Sequence, residues 1–248
     1  MEPSRTVRAH LAATAMNCGC HWSSKPNLQC NQKHNQHHNK RQGQQMHSQI
    51  TTQAQLPLEV HALLQQSGAM VTPHTGRTLH AHLMGTYQQL QAWGNPQAVC
   101  MAGLFHSIYG TNAFTHQSLL QTQRAELQQA IGQEAEALAW LFCSIDRPRA
   151  ILQGLQTCKP GGSTQLKARR MAGDSMQLER TCAATYAQLQ ALAEMECANL
   201  IEQGSWSSAL RELYCAAIDN TSLLSDGALA ALRSGLSNKI HQQQRQAA

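Results

Sequence analysis

The sequence contains few of the residues that favour strands or interrupt helices. Proline occurs only 7 times in 248 residues and β-branched residues are scarce, whereas Ala, Leu and Gln are abundant. Because the abundant residues favour helix, local preference runs strongly toward helical structure. A hydrophobic content of 42% is enough for a packed core. The sequence therefore predicts an all-α globular body, with no strand pattern and no internal repeat.

Long apolar runs and a regular cysteine pattern are also missing. No run approaches the roughly 20 apolar residues that span a bilayer, and Leu11 to Met16 is too short and too polar for a signal-peptide core. The 9 cysteines are odd in number and unevenly spaced, which predicts reduced, buried, small hydrophobic side chains instead of a disulfide framework. We therefore expect a cytoplasmic protein without a membrane partner.

The net charge of +5 is concentrated in one part of the chain. Residues 1–50 carry six basic side chains against Glu2 alone, so residues 51–248 hold 13 basic and 13 acidic side chains. A nucleic-acid-binding body needs a basic stripe or patch. The short group Lys167, Arg169 and Arg170 is interpreted as a solvated loop. The sequence therefore predicts no nucleic-acid partner.

Residues 1–55 include a tract rich in Gln, Asn and His. Such a tract cannot bury enough apolar surface to offset its chain entropy, so these residues are predicted to be a disordered polar tail. A zinc module is an alternative, but the Cys-x-Cys-His spacing differs from that of common zinc knuckles, which favours adventitious metal affinity. An organelle transit peptide is a minor alternative, because acids are few and arginines lie near the start. The residues of the zinc alternative are Cys18, Cys20, His21, Cys30, His34, His37 and His38.

Residues 56–240 are predicted to form one helical domain. Glycines and prolines mark its boundaries, with Asn95-Pro96 as a start signal and Gly110 as a stop signal. The stretch from Leu155 to Gly173 is predicted to be a loop or a poorly ordered crossing. The predicted helices are 57–66, a helix from Thr75-Gly76 to Gly94, then 95–110, 118–131, 134–146, 175–203, 207–218 and 225–240.

Two adjacent predicted helices each carry a histidine that faces inward. At 100° per residue, His82 lies at the edge of the apolar arc of its helix. His106 shares a face with Ala102 and Gly103, whose small side chains allow another helix to approach closely, so His106 is expected to meet the His82 helix. Asp146 lies beside the apolar stripe of a later helix, where a carboxylate can join two imidazoles.

This stretch resembles a known superfamily. Arg77 with His82, then Phe105-His106-Ser107, then Ile145-Asp146-Arg147, is similar to the HD-domain superfamily. That superfamily carries a first His, a His-Asp doublet and a distal Asp on separate helices around one or two metals, usually for phosphoester hydrolysis and occasionally for iron-dependent oxygenation. More closely, GRTLxxHLxGTY, AWG and AGLFHSxYGT resemble a poorly characterised HD-like family described only as a domain of unknown function. The resemblance covers roughly residues 56–215 and implies an HD-like helical bundle.

Carried over residue by residue, the resemblance implies that His82, His106 and Asp146 bind a divalent metal, with Zn, Fe and Mn as candidates. Ser107 stands where the superfamily has an aspartate; a neutral hydroxyl lacks that charge and oxygen donor, so one metal is expected instead of two. His74 is a candidate for a further ligand or a substrate contact. A single ion with open positions activates a water or binds a substrate oxygen. The expected partner is therefore a small-molecule substrate, with phosphorylated compounds as one class.

Three further side chains are candidates for catalysis. Ser107 and Tyr109 are candidate substrate-facing hydroxyls, and Arg77 is a candidate anion-binding group because a guanidinium presents a fixed fork of donors. Structural alternatives are part of a helix stop for Tyr109 and a solvated arginine for Arg77. For the proposed ligand Asp146 the alternative is an ion pair with a nearby arginine.

Glu196 and Asn199 share a face of the long C-terminal helix because they are three residues apart. They are candidates for a polar network under the pocket or for a pair with Arg77, and a solvated helix face is the alternative. His80 and His116 are interpreted as hydrogen-bonded or surface histidines.

Three classes of function are compatible with these features. The first is a metal-dependent hydrolase of a phosphoester or related bond, and a mononuclear iron oxygenase is the second possibility within the enzyme class, because two histidines and a carboxylate also suit Fe(II). Another class is a degenerate HD-like binding module without turnover. The last is an interaction protein that recruits a partner through a helical face.

Overall fold

A computed structural model describes residues 56–170, 180–220 and 222–246 of the chain. The predicted polar tail, including its cysteines and histidines, lies outside the described residues, and so does the short stretch 171–179. Everything below concerns the described ranges.

The described body is mostly helical, as the composition predicts. Two short antiparallel hairpins join the helices, one formed by β1 and β2 and one by β3 and β4. In chain order the elements are α1 (Leu58–Gln66), β1 (Pro73–His74), β2 (Arg77–Thr78), α2 (Leu79–Ala92), α3 (Gln97–Leu104), a single 3₁₀ turn (Gln121–Gln123), α4 (Arg124–Ile131), α5 (Gln133–Ser144), α6 (Arg149–Thr157), β3 (Ser163–Lys167), β4 (Thr181–Thr185), α7 (Tyr186–Glu202), α8 (Ser208–Asp219) and α9 (Asp226–Gln246).

The prediction that the chain has no strands is wrong in two places. In the first hairpin His74 pairs with Arg77 across Thr75-Gly76, both of which have positive φ. Thr75-Gly76 was predicted to begin a helix, but these two residues form a turn instead. In the second hairpin, Ser163 pairs with Thr185 and Lys167 pairs with Thr181. These strands are short and largely polar, and a mean residue preference for helix does not detect them.

Several helix boundaries also differ from the prediction. The helix predicted over 175–203 begins at Tyr186, because Thr181–Thr185 form β4. The helix expected to run from Asn95 to Gly110 ends at Leu104, because Phe105 has φ −116° and leaves the helical region. The loop was predicted to begin at Leu155, but residues 155–157 are the last residues of α6 (Arg149–Thr157). Cys182 lies in β4 and not in a helix.

The core is built around α2, α3, α5 and α7, which pack against one another. Gly103 allows the closest approach, because a Cβ at this position would overlap the Leu90 side chain on α2. The N-terminus of α2 is capped by the Thr78 hydroxyl, which accepts from the Ala81 N–H at 3.2 Å. A capping box formed by Thr185 and Gln188 begins α7. These caps and close contacts fix the positions of the helices that carry the histidines.

The described residues also bear on the expectations for the cysteines and for membrane-spanning segments. Four of the described cysteines are buried free thiols, Cys182 is half-buried and Cys215 is exposed. None of the described helices combines the length and the apolar character that crossing a bilayer requires. The predicted helical body is thus confirmed, and its HD-like arrangement stays a prediction.

Candidate functional site

The site begins with two buried histidines whose side chains face each other. His82 lies in the first turn of α2, and His106 lies two residues beyond the end of α3. Both side chains are almost fully inaccessible to solvent, and the two Nε2 atoms are 3.1 Å apart. The helix faces predicted this meeting, although His106 is on a turn and not on the helix itself.

The partners of the two Nδ1 atoms determine where the ring protons lie. His82 Nδ1 contacts a carboxylate oxygen of Glu202, and His106 Nδ1 lies 2.7 Å from the Gly103 carbonyl oxygen. Both partners accept hydrogen bonds, so each Nδ1 carries a proton and donates. In the neutral rings both Nε2 atoms are therefore bare lone pairs that point at each other. A shared proton or a bound cation relieves this repulsion.

The spacing of the pair fits a single metal ion. Two nitrogens that each bind one ion at about 2.0–2.1 Å are roughly 2.9–3.3 Å apart when the angle between them lies between octahedral and tetrahedral values. The observed 3.1 Å falls in this range. Histidine ligands of metals commonly donate their second N–H to a carboxylate or a backbone carbonyl, and both forms are present here. The spacing of this pair and the partners of its Nδ1 atoms therefore match those of two histidine ligands of one ion.

Glu202, near the end of α7, connects His82 to Arg77. One carboxylate oxygen of Glu202 contacts His82 Nδ1 and the other pairs with the Arg77 guanidinium. Arg77 also donates to the Glu202 backbone carbonyl at 3.2 Å. Gly85 makes room for this carboxylate, because a Cβ on Gly85 would overlap it. Arg77 is therefore engaged in holding Glu202 and is poorly placed to bind a substrate anion.

His74 adds a third imidazole next to the pair. Its ring stacks on His82 with centroids 4.4 Å apart and meets Phe114 edge-on. His74 Nε2 is buried without a hydrogen-bond partner. Burial lowers the pKa of His74, the neighbouring His82 lowers it further, and Glu202 partly opposes the shift. Burial also holds the pKa of His106 well below its usual value. Both rings are thus neutral near pH 7, the form that binds metals or accepts a proton.

These side chains open into a cavity of about 310 Å³. Five buried side-chain polar atoms among the described residues lack a hydrogen-bond partner, and three of them belong to residues that line this cavity: His74 Nε2, Ser107 Oγ and Arg147 Nε. Since buried polar groups in folded proteins are nearly always hydrogen-bonded, this concentration makes the cavity the candidate site for a polar ligand. The lining residues are Pro73, His74, Thr75, His82, His106, Ser107, Thr111, Ala113, Phe114, Arg147, Asn199 and Gln203.

The floor of the cavity comes from α7. Gln203, at the end of this helix, places its amide 3.5 Å from His82 Nε2 and donates to Asn199 Oδ1 at 2.7 Å. Glu196 pairs with the Arg147 guanidinium, and both side chains are buried. The predicted polar network under the pocket is therefore present. The alternative pairing of Glu196 with Arg77 is wrong, because Arg77 pairs with Glu202.

Three sequence-predicted site residues do not line the cavity: Arg77, which pairs with Glu202, Asp146 and Tyr109. Asp146 accepts from Asn112 Nδ2 at 3.0 Å and is not among the cavity-lining residues. Tyr109 donates to Glu136 Oε1 at 3.0 Å, away from the histidine pair. Within the described ranges no group of three or more His, Cys, Asp or Glu side chains is placed to hold a metal ion, so the His/His/Asp set is not assembled there.

The residues that sequence reasoning missed are Glu202, Gln203 and Arg147. Glu202 and Gln203 follow Glu196 and Asn199 at helical spacing, so extending that polar face by one turn would have identified them. Gly85, three residues after His82, was a second signal, since a small residue there leaves space for a neighbouring side chain. Arg147 gave no sequence signal beyond its position next to Asp146.

Comparison with known proteins gives one match. A domain of unknown function (DUF6817) is found at residues 63–147, less than half of the chain. The matched stretch contains His74, His82 and His106 and ends before α7, which carries Glu202. No curated protein and no solved structure matches the chain. The similarity to a domain of unknown function is thereby confirmed, and nothing in the match connects it to the HD-domain superfamily.

Proposed function

We propose that the protein is a hydrolase that uses a single divalent metal, Zn, Fe or Mn, bound by His82 and His106. The observation that carries this proposal is the pair of Nε2 atoms 3.1 Å apart with both Nδ1 protons already donated to acceptors. Asp146 is no longer included among the ligands. The nearest further donors in the cavity are His74 Nε2 and the Gln203 amide, whose oxygen and nitrogen exchange places on a 180° rotation.

The cavity supports a small-molecule substrate. Its volume of about 310 Å³ is at the lower end of the range for ligand pockets. Arg147, which lines the cavity, pairs with Glu196, so the charge of its side chain is offset. A bound metal ion would add positive charge and so strengthen the attraction of an anionic substrate. The choice of a phosphoester or related bond rests on the resemblance to the HD-domain superfamily, which is itself part of this proposal.

The residues around the histidines have defined roles in such a reaction. When bound, the ion supplies Lewis acidity and lowers the pKa of a water molecule. Glu202 holds the proton of His82 on Nδ1 and so keeps Nε2 free, and the Gly103 carbonyl does the same for His106. His74 lines the cavity with an unpartnered Nε2, and the tautomer that carries its proton on Nδ1 would receive a proton from a nucleophilic water at Nε2. Phe114, edge-on to His74, helps to exclude bulk water.

A binding module without turnover is the second candidate. The observation that favours it is Ser107, whose neutral hydroxyl stands in the cavity where the HD-domain superfamily carries an aspartate. Two imidazoles with open positions also suit mononuclear Fe(II), so an oxygenase is tested together with the hydrolase.

Metal analysis tests the proposal directly. The full chain, loaded with Zn, Fe or Mn and dialysed against a weak chelator, is expected to retain close to one equivalent of one metal. His106→Ala should lose this equivalent, because one remaining imidazole binds weakly. His80→Ala is the matched control, since His80 lies on α2 with His82 but does not line the cavity, and its loss should not change the metal content.

The histidines of residues 1–55 are present in every variant, so adventitious binding there cancels in the comparison. Equal metal content in the wild type and His106→Ala would exclude the proposed centre. If the wild type retains one equivalent of metal but hydrolyses no phosphoester, and its iron form consumes no oxygen, the binding module would be favoured.

A further inference from the structure

Arg147 is a buried guanidinium with only part of its donor capacity in use. Its side chain is 6% exposed and its Nη1 pairs with Glu196. The guanidinium lies over the Phe142 ring, 3.7 Å from the centroid. Nε has no hydrogen-bond partner although it is buried, and Arg147 lines the cavity. One N–H of a positively charged group is thus held next to the cavity without an acceptor.

Ser107 contributes a second unpartnered donor. Its side chain is 3% exposed, its Oγ has no hydrogen-bond partner, and it lines the same cavity. The position is set by the turn after α3, in which the Gly110 N–H donates to the Ser107 carbonyl at 2.9 Å. Its neighbour His106 presents Nε2 to the same cavity. Ser107 and Arg147 therefore border the space in front of the histidine pair.

The unpartnered state of these two groups has a physical cost. A buried donor that lacks an acceptor destabilises the fold by about 1–3 kcal/mol, more when it is charged. Two such groups in one cavity persist most readily where a ligand supplies the acceptors. The Arg147 Nε–H can only donate and the Ser107 hydroxyl can donate as well, so a ligand that presents oxygen lone pairs satisfies both groups, and a guanidinium N–H prefers an anionic oxygen.

We propose that Ser107 and Arg147 form an oxyanion subsite beside the histidine pair, which binds the phosphate or carboxylate group of the substrate. This deepens the proposed function and rests on it for the statement that the occupant belongs to a substrate. Arg77, the arginine to which the sequence assigned anion binding, is occupied by Glu202. Arg147 takes that role because its pairing with Glu196 leaves Nε free.

Isothermal titration with two probes, inorganic phosphate and acetate, tests the subsite on the full chain. Each probe is titrated into metal-free protein and into zinc-loaded protein. We expect one of the two anions to bind, and its identity distinguishes a phosphate-bearing from a carboxylate-bearing substrate. The metal-loaded form should bind more tightly because the ion adds positive charge to the cavity.

Two variants assign the binding to the subsite. Ser107→Ala removes the hydroxyl, and Arg147→Lys keeps the charge for Glu196 but removes Nε–H; each is expected to weaken binding of the anion about tenfold. Arg149→Lys is the matched control, since Arg149 is exposed and does not line the cavity. Zinc content is measured in parallel and should not change in any variant.

The outcomes separate the two proposals. Anion binding that is unchanged in Ser107→Ala overturns the subsite, and so does the absence of binding of both probes at millimolar concentration. Ser107→Ala decides the matter even if Arg147→Lys does not fold. Loss of anion binding in these variants, in a protein that retains no zinc, would support the subsite while excluding the metal-dependent hydrolase.

Discussion

Two buried polar clusters in this protein share a similar composition but differ in how their hydrogen bonds are satisfied. In the first, the Glu136 carboxylate accepts from Tyr109, from two nitrogens of Arg124 and from Gln128, at distances between 2.7 and 3.0 Å. The second is the histidine cavity, where Ser107 Oγ and two further polar atoms have no partner. The two clusters are linked along the chain, because Tyr109 lies two residues after Ser107.

This difference separates a cluster that stabilises the fold from the proposed ligand site. Around Glu136 the donors match the acceptors, so nothing remains for a ligand and the cluster stabilises the packing of α4 and α5. Around His82 and His106, three polar atoms of the described residues have no hydrogen-bond partner, as the proposed ligand site requires. Tyr109 and Ser107 are both buried, so burial alone does not distinguish the structural residue from the one that lines the cavity.

The largest expected effect is on stability at Glu136. Glu136→Gln keeps the shape but removes the charge that Arg124, Gln128 and Tyr109 hydrogen-bond, and we expect a loss of about 2–3 kcal/mol in the free energy of unfolding. This loss is smaller than the largest losses seen when a buried ion pair is broken, because the Arg124 side chain is 33% exposed and water can solvate its charge in the variant. Urea denaturation measures it. Glu134→Gln, at an exposed position of the same helix, is the control with an effect near zero.

The same variant has a defined pH dependence. Burial alone would raise the pKa of Glu136, but hydrogen bonds from Arg124, Gln128 and Tyr109 outweigh it and lower the pKa below its ordinary value. A lowered folded-state pKa means that the stabilisation is present above the unfolded pKa of about 4.3 and is lost as the pH falls through the folded value. The difference between the wild type and Glu136→Gln should therefore narrow in acid. A constant difference down to pH 3 would contradict this explanation.

An intermediate effect, on metal affinity, is expected for Gly85→Ala. This effect would distinguish the histidine cavity from a purely structural cluster. Gly85→Ala places a methyl group where the Glu202 carboxylate lies and should displace it from His82. We expect metal affinity to fall about tenfold or more, as is typical when the outer partner of a histidine ligand is lost. Competition with a chromophoric chelator measures the affinity.

Glu202→Gln provides an independent route to the same loss, because it keeps the volume of the side chain and removes its charge. Agreement between the two variants would assign the effect to the carboxylate. Unchanged affinity in both would mean that Glu202 does not orient His82.

The smallest effect is expected for the stability of Ser107→Ala. Since the Ser107 hydroxyl is buried without a partner, its removal should leave the ligand-free protein unchanged or stabilise it by about 0.5–1 kcal/mol. Ser67→Ala is the matched comparison, because its hydroxyl donates to the Leu64 carbonyl at 2.9 Å in an equally buried place. That variant should lose about 1 kcal/mol in urea denaturation. Equal losses in both would remove the distinction between the two clusters.

Much of the fold could be predicted from local signals, and the errors have physical causes. Helices such as Leu58–Gln66 and Ser208–Asp219 were predicted within one or two residues, because glycine, proline and serine mark their ends. The hairpin between β3 and β4 was missed because its partners are separated by a stretch of chain and its residues have little strand preference. The early end of α3 was missed because Gly110 was taken as the stop, whereas Phe105 already leaves the helix.

The sequence by itself determined the helical body and the inward orientation of His82 and His106, because helical periodicity and small neighbouring residues are local properties. Only the tertiary structure decided which charged groups reach the two imidazoles. Asp146 lies much nearer to His106 in sequence, yet Glu202 contacts His82 from 120 residues away. The reason is that α7 packs across α2 at Gly85, and no local pattern specifies which acidic residue of a distant helix occupies the space next to a glycine.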